Sequence, residues 1–317
     1  METRPAFCVG PLQRVAFAGF FVTPFFIVMN SNAPSSNRWV VVADDFSGAA
    51  ELGAAARARG LRVGLSKVIW PAEGERAPSL EALEAVFPEH PEALDVWVCD
   101  TDSRERSPEL AGECLSALGS ALIRHFPEAH VFKKIDSVLR GWFGTESEAL
   151  AHALGRNRLV LLAGNPRRRR MVAGGHLYLD GKPLEESIFA GDPAFPAATS
   201  DVRKLVELRG AARMNDWQIY GDTSVGLLAE VGSCLGVGAL QVGALDFFDA
   251  LLAEEKAGAA AQAFALPPIK SALMVCGSKA GWPERAGWFE RSEWALATVD
   301  AVPETVPPRL LLGLGEA

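Results

Sequence analysis

Trp39-Val40-Val41-Val42-Ala43-Asp44-Asp45-Phe46-Ser47-Gly48-Ala49 runs from an unbroken apolar segment through two acidic residues into alanine-rich chain. Apolar runs this short and this continuous belong to strands buried on both faces, as in a parallel sheet. Residues 49–59 then read as a helix, Gly60 stops it, and residues 62–70 return as a strand. The unit is βαβ. Its polar corner, Asp44-Asp45, lies at the carboxyl end of the first strand, where open α/β sheets bind their ligands.

The same rhythm repeats outward from that unit. Residues 94–99, LDVWVC, form a strand that ends in Asp100-Thr101-Asp102-Ser103-Arg104, and a helix follows over 108–126. Residues 130–135 form a strand ending in Lys133-Lys134-Ile135-Asp136-Ser137, with Arg140-Gly141 just beyond and a helix over 145–154. Residues 158–163 lead into Gly164-Asn165-Pro166 and four arginines, Arg167 to Arg170. If the strands are parallel, the four polar clusters gather at one edge of the sheet and make a site. A hairpin turning at Asp180-Gly181 and a loop at Gly191-Asp192-Pro193 break the rhythm. Strands at 217–220 and 238–242 and a helix over 250–263 restore it. The expected fold class is α/β. A parallel-sheet domain with flanking helices occupies 39–265, and a linker at 266–270 leads to an incomplete second α/β domain over 271–317.

Composition narrows the partners. Acidic residues outnumber basic ones by 39 to 31, a net charge of −8, so the surface lacks the broad cationic face that nucleic-acid binding needs. A small anionic substrate requires only a local basic patch. Five cysteines fall into neither a disulfide framework nor a close-paired metal pattern, which fits a reducing, cytoplasmic setting. Residues 1–38 are an atypical apolar extension and leader. Their apolar run, 15–29, is shorter than the roughly 20 residues a spanning helix needs and is interrupted by Pro24, so no stable membrane insertion is expected. Three readings of it stand: a translation start set too early, with Met29 the true beginning; an export or membrane-contacting segment; or an extra packed element.

The clusters suggest chemistry. Asp44 and Asp45 can accept hydrogen bonds from hydroxyls, exchange a proton or hold magnesium through water, and an aspartate ahead of an alanine-rich helix serves equally as its N-cap. Asp100-Thr101-Asp102 resembles the nucleophile loop of haloacid-dehalogenase-type phosphatases, although Ser103-Arg104 replace the glycine and hydroxyl residue usual there. Lys133, Lys134 and Arg140 place three cations around Asp136 and Ser137. Such a run is either a solvated face or a site for a small anionic polyhydroxy acid, the cations pairing with carboxylate and the aspartate with hydroxyls; the same cations suit phosphate. Four successive arginines cannot all face one small ligand, so one of Arg167 to Arg170 contributes at most. Gly277-Ser278 offers backbone N–H groups to a phosphate or simply turns the chain. Neither GxGxxG nor GxxxxGK[ST] occurs, and no metal ligand set is assigned.

Taken together, Val42 to Ala49, Asp100 to Arg104 and Lys133 to Gly141 resemble, in order and spacing, the three signature stretches of the four-carbon acid sugar kinases. The similarity continues through 174–186 and Gly191-Asp192-Pro193, reaches Asp222 and resumes at Cys276-Gly277-Ser278. The resemblance implies a kinase that moves the γ-phosphoryl group of ATP, with Mg2+, to the terminal hydroxyl of a threonate- or erythronate-like acid. It makes Asp44, Asp45, Asp102, Arg104, Lys134, Asp136, Arg140 and Gly141 the acid-sugar site, and Gly277 and Ser278 part of the nucleotide site. It does not single out the aspartate that acts on the hydroxyl. Val138 and Trp142 stand where the family usually has smaller or polar residues, which reshapes the pocket. The family's nucleotide domain extends beyond Ala317. The expectation is therefore a kinase, alone, as a homo-oligomer or with a separately encoded nucleotide-binding partner, or else a sugar-acid-binding or regulatory protein without catalysis.

Overall fold

A computed structural model describes residues 38–71, 76–222 and 238–254. Seven strands form a sheet in which every pair is parallel, in the order β2-β3-β1-β4-β10-β5-β9. In chain order, β1 is Trp39–Ala43, β2 Val63–Lys67, β3 Val96–Asp100, β4 His130–Lys134, β5 Arg158–Leu162, β9 Trp217–Ile219 and β10 Ala239–Gly243. Every residue of β1 and β3 is buried, as the apolar runs Trp39 to Ala43 and Val96 to Cys99 require for strands covered on both faces, and Asp100 is buried with them at the end of β3. A separate antiparallel sheet joins β6 (Arg170–Ala173), β7 (His176–Leu179) and β8 (Lys182–Pro183).

The helices are α1 (Phe46–Ala58), α2 (Leu80–Glu84), α3 (Pro108–His125), α4 (Phe143–Ala153), α5 (Val202–Leu208) and α6 (Leu245–Glu254). On one face of the sheet, Ala49, Leu52 and Ala56 of α1 meet Phe247, Phe248, Leu251 and Leu252 of α6 over Trp39, Val41, Val98, Phe132 and Val160. Helices α3 and α4 pack on each other at Gly119, where a Cβ would come within 2.7 Å of the Ala153 Cβ.

Three expectations need correcting. Helix α1 starts at Phe46, because Asp45 rather than a later residue caps it; α4 likewise starts at Phe143, before Thr145. The last described helix begins at Leu245, five residues ahead of Ala250, since Leu245, Phe248, Leu251 and Leu252 already give it an apolar face. The turn at Asp180-Gly181 is present with positive φ at both residues, the geometry a two-residue hairpin needs, and a second hairpin turn at Gly174-Gly175 joins β6 to β7. The extension 1–28, the 271–317 domain and Gly277-Ser278 lie outside the described residues, as does the helix expected beyond Glu254.

The register sets up the site. Asp100, Ala43, Lys134, Gly243 and Leu162 pair across five neighbouring strands as one row at the carboxyl edge. The chain leaves β1 toward β2 on one side of the sheet and β4 toward β5 on the other, so the crevice of an open α/β sheet lies between the ends of β1 and β4.

Candidate functional site

Four loops leave that row: Asp44-Asp45 after β1, 101–104 after β3, 135–141 after β4 and 163–169 after β5. The first two are laced together, the Asp44 carbonyl accepting from the backbone N–H groups of Ser103 at 3.1 Å and Arg104 at 3.2 Å. Arg104 then spreads its whole fork over the paired aspartates. Its Nε and Nη2 donate to the two oxygens of Asp44 at 2.8 and 3.0 Å, and its Nη1 donates to Asp45 at 2.8 Å. The other oxygen of Asp45 caps α1 by accepting from the Gly48 N–H at 2.9 Å. The N-cap reading of Asp45 thus holds for one oxygen, while the other is taken by Arg104.

The third loop brings Asp136 within 4.0 Å of the same guanidinium. Asp136 accepts from Nε and Nη2 of Arg140 at 2.9 and 3.0 Å, and Arg140 reaches on to Asp192 at 3.5 Å over the face of Phe189. Gly141 follows with φ at +81°, where a Cβ would stand 3.0 Å from an Asp44 oxygen and 3.3 Å from Arg104. Glycine is needed there both for the turn and for the close approach. Lys134 is buried, donating to the Ile135 carbonyl at 2.8 Å with Glu51 at 3.8 Å.

Beneath the cluster lies a second layer that sequence reading missed. Lys133 and Glu146 of α4 are wholly buried and pair at 2.7 Å. The other Glu146 oxygen accepts from the Ser103 hydroxyl at 2.6 Å, and Ser103 bonds Thr101 at 2.8 Å. Ser103 immediately precedes Arg104, so this layer fixes the loop that carries the guanidinium. Its only signal in the sequence was Lys133, since a lone Glu146 inside a helix carries no motif.

Burial alone would raise the carboxyls of Asp44 and Asp136. Arg104 and the two lysines outweigh it at Asp44; at Asp136 the Arg140 hydrogen bonds and the charges of Arg104, Arg140 and Lys134 do so. Both are held below the usual carboxylate range and are ionised at neutral pH. Among the sequence candidates the structure gathers Asp44, Asp45, Arg104, Asp136, Arg140 and Gly141, with Lys134 at the base of α1. It leaves Asp102 outside. That side chain is turned away by a left-handed backbone, φ +50°, and pairs with Lys67 at 3.0 Å and Arg106 at 3.8 Å. The companion Asp100 is wholly buried, so the paired aspartates lack the open approach a phosphatase nucleophile needs.

A family model described as the sugar-binding N-terminal domain matches residues 39–231. A D-threonate kinase of Salmonella typhimurium is 31% identical over 172 residues, 54% of this chain and 37% of that one. A D-erythronate kinase of Heliobacterium modesticaldum is 30% identical over 168 residues, 53% of this chain and 35% of that one. The chain thus spans about a third of the length of these curated relatives. Among solved structures, a domain of unknown function from Bordetella bronchiseptica, a domain-swapped dimer with bound citrate, superposes with a TM-score of 0.55 at 24% identity over 67% of this chain and 55% of that one. A protein of Haemophilus influenzae does so with a TM-score of 0.54 at 18% identity, over 68% and 55%. These two carry the fold. Matched by the family model over the whole parallel sheet up to β9, and by the two kinases in sequence, this chain belongs to the family of the sugar-binding N-terminal domain, that of the four-carbon acid sugar kinases.

Proposed function

We propose that residues 39–254 hold a four-carbon sugar acid of the threonate or erythronate class and present its terminal hydroxyl for phosphorylation by ATP. The observation that carries this reading is the meeting of Asp44, Arg104, Asp136 and Arg140 at the switch point of the sheet. The two kinase relatives supply the substrate class and the phosphoryl transfer.

The chemistry open to these residues is binding and orientation. A general base works best with a pKa near the working pH. Asp44 and Asp136 are held well below that, so they accept hydrogen bonds from substrate hydroxyls rather than store a proton. Fixed donors and acceptors of this kind line up an attacking hydroxyl, most of what a protein contributes to phosphoryl transfer. The described residues do not fit a magnesium site. Asp44, Asp45 and Asp136 are each occupied by a guanidinium, and no group of three His, Cys, Asp or Glu among the described residues is arranged to hold a metal. Gly277 and Ser278, proposed for the nucleotide, lie outside the described residues.

Titration calorimetry with D-threonate and D-erythronate, beside a coupled assay for ADP release, tests the reading. The chain should bind at least one of the acids, and Asp136→Asn should weaken binding by about 100-fold or more, because the Arg140 fork loses its charged partner. Equal affinity in D136N, or no binding of either acid, would sink the proposal. Binding without ADP release would confine the chain's role to holding the acid.

A further inference from the structure

The arginine run after β5 divides three to one. Arg167 pairs with Asp246 and Asp249, Arg168 with Glu51 at 2.7 Å and Arg169 with Asp180 at 2.8 Å. Arg170 pairs with nothing among the described residues, and its Nε is buried without a hydrogen-bond partner. Its backbone is nonetheless firmly placed. Asn165, itself fully buried, exchanges hydrogen bonds with Arg170 at 2.7 and 3.2 Å, Arg169 before it takes a left-handed turn at φ +55°, and β6 begins with it. The loop closed by that exchange leaves the carboxyl end of β5, in the row from which the Asp136 loop also departs.

A guanidinium stays protonated in a protein, so a half-buried one lacking a counter-group is costly unless something brings the missing oxygens. The other site arginines have none to spare. Arg104 spends Nε, Nη1 and Nη2 on Asp44 and Asp45, and Arg140 spends its fork on Asp136 with its third nitrogen toward Asp192. They organise the aspartates that take hydroxyls, and an acid bound there still needs a free fork for its carboxylate. The backbone bridge to Asn165, three residues past Leu162, holds Arg170 at the carboxyl edge of the sheet; burial pulls its pKa down, and the charge of Asp136 works against that.

We infer that Arg170 takes the carboxylate of the bound acid in a two-oxygen fork, so that Arg170 marks the carboxylate end of the ligand and Asp44 and Asp136 the hydroxyl end. This rests on the sugar-acid reading above and adds the orientation of the ligand to it.

Arg170→Met and Arg170→Lys in the full chain test the assignment, with D-threonate, D-erythronate and inorganic phosphate as probes and urea unfolding without ligand as a control. R170M should weaken binding of the acids by about 30-fold or more, as loss of a charged hydrogen-bonded pair implies. R170K, which keeps the charge but not the fork, should fall between R170M and wild type. Without ligand, R170M should unfold at a urea concentration no lower than wild type, because no internal partner is lost; a structural arginine would give the opposite result. Unchanged affinity in R170M, or a clear fall in its ligand-free midpoint, overturns the inference while leaving the sugar-acid reading in place. Loss of phosphate binding with acid binding intact overturns the carboxylate assignment. A wild-type chain that binds neither acid overturns the sugar-acid reading itself, and this inference with it.

Discussion

Asp100 and Asp136 leave the same edge of the sheet on either side of β1, and their surroundings push them in opposite directions. Asp136 is wrapped by the Arg140 fork and held low, whereas burial pushes the Asp100 carboxyl up to about 6. One Asp100 oxygen accepts from the Asp102 N–H at 2.9 Å; the other is buried with no hydrogen bond, and Lys67 comes no nearer than 3.7 Å. Since the folded pKa lies above the unfolded value of about 3.9, Asp100 favours folding fully only below that value. Its contribution is lost as pH rises through 6, by at most about 3 kcal/mol. Asp100→Asn, which can keep the bond from Asp102, should therefore gain on wild type by roughly that amount between pH 4 and pH 8 in urea unfolding; an equal effect at both pH values would contradict it. None of this was legible in the sequence. Asp100 and Asp102 read as one acidic pair, yet the strand buries the first and a left-handed turn carries the second to Lys67. Such differences depend on backbone direction at single residues, which composition and spacing do not encode.

Strands are the elements the sequence spells most clearly, because full burial on both faces demands unbroken apolar residues; 39–43, 96–99 and 159–163 show this directly. Helix α4 shows the limit. Its start lies two residues earlier than Thr145, and its most consequential residue, Glu146, faces inward to Lys133 and Ser103 rather than to solvent. This buried pair joins β4, α4 and the loop of Arg104. Removing one partner strands a charge in a dry interior at a cost of about 3–5 kcal/mol, whereas removing both charges is far cheaper. Lys133→Met should destabilise the chain by that amount, and Lys133→Met with Glu146→Gln should recover most of it, the glutamine still accepting from Ser103. A double-mutant cycle in urea checks this: strictly additive losses would mean that the pair is not coupled. Because Ser103 precedes Arg104, K133M should also weaken acid binding more than its distance from Asp44 and Asp136 would suggest, and the double variant should restore it.

At the scale of the molecule, the decisive fact is where the last described strand lies. β10 follows every other described strand in the chain, yet it sits between β4 and β5, pairing along its whole length with β5 and from Gln241 to Gly243 with β4. The strand-helix rhythm announces a strand at 238–242 but not its place, since neighbour order in a parallel sheet is set by crossovers that local patterning does not record. The match to the family model ends at residue 231, before this strand. Without β10 and α6, β4 and β5 would face each other across a missing strand. Ile135 would lose its bond to the Gly243 carbonyl at 3.0 Å, just before Asp136, and Arg167 its bond to Asp246. Arg59 would also lose Asp249, to which it donates at 2.6 Å, and Phe247 and Phe248 would leave the core beside Phe132. Two buried phenylalanines alone represent about 3–5 kcal/mol each, against a total stability of about 5–15 kcal/mol for a domain. A chain ended after Asp222 should therefore show no cooperative urea transition and bind no sugar acid, although it retains Asp44, Arg104, Asp136 and Arg140. A chain ended after Glu254 should unfold cooperatively and bind the acid. If the shorter chain folds and binds, the site is independent of the strand at the centre of its sheet, and the dependence of Asp136 on β10 is refuted.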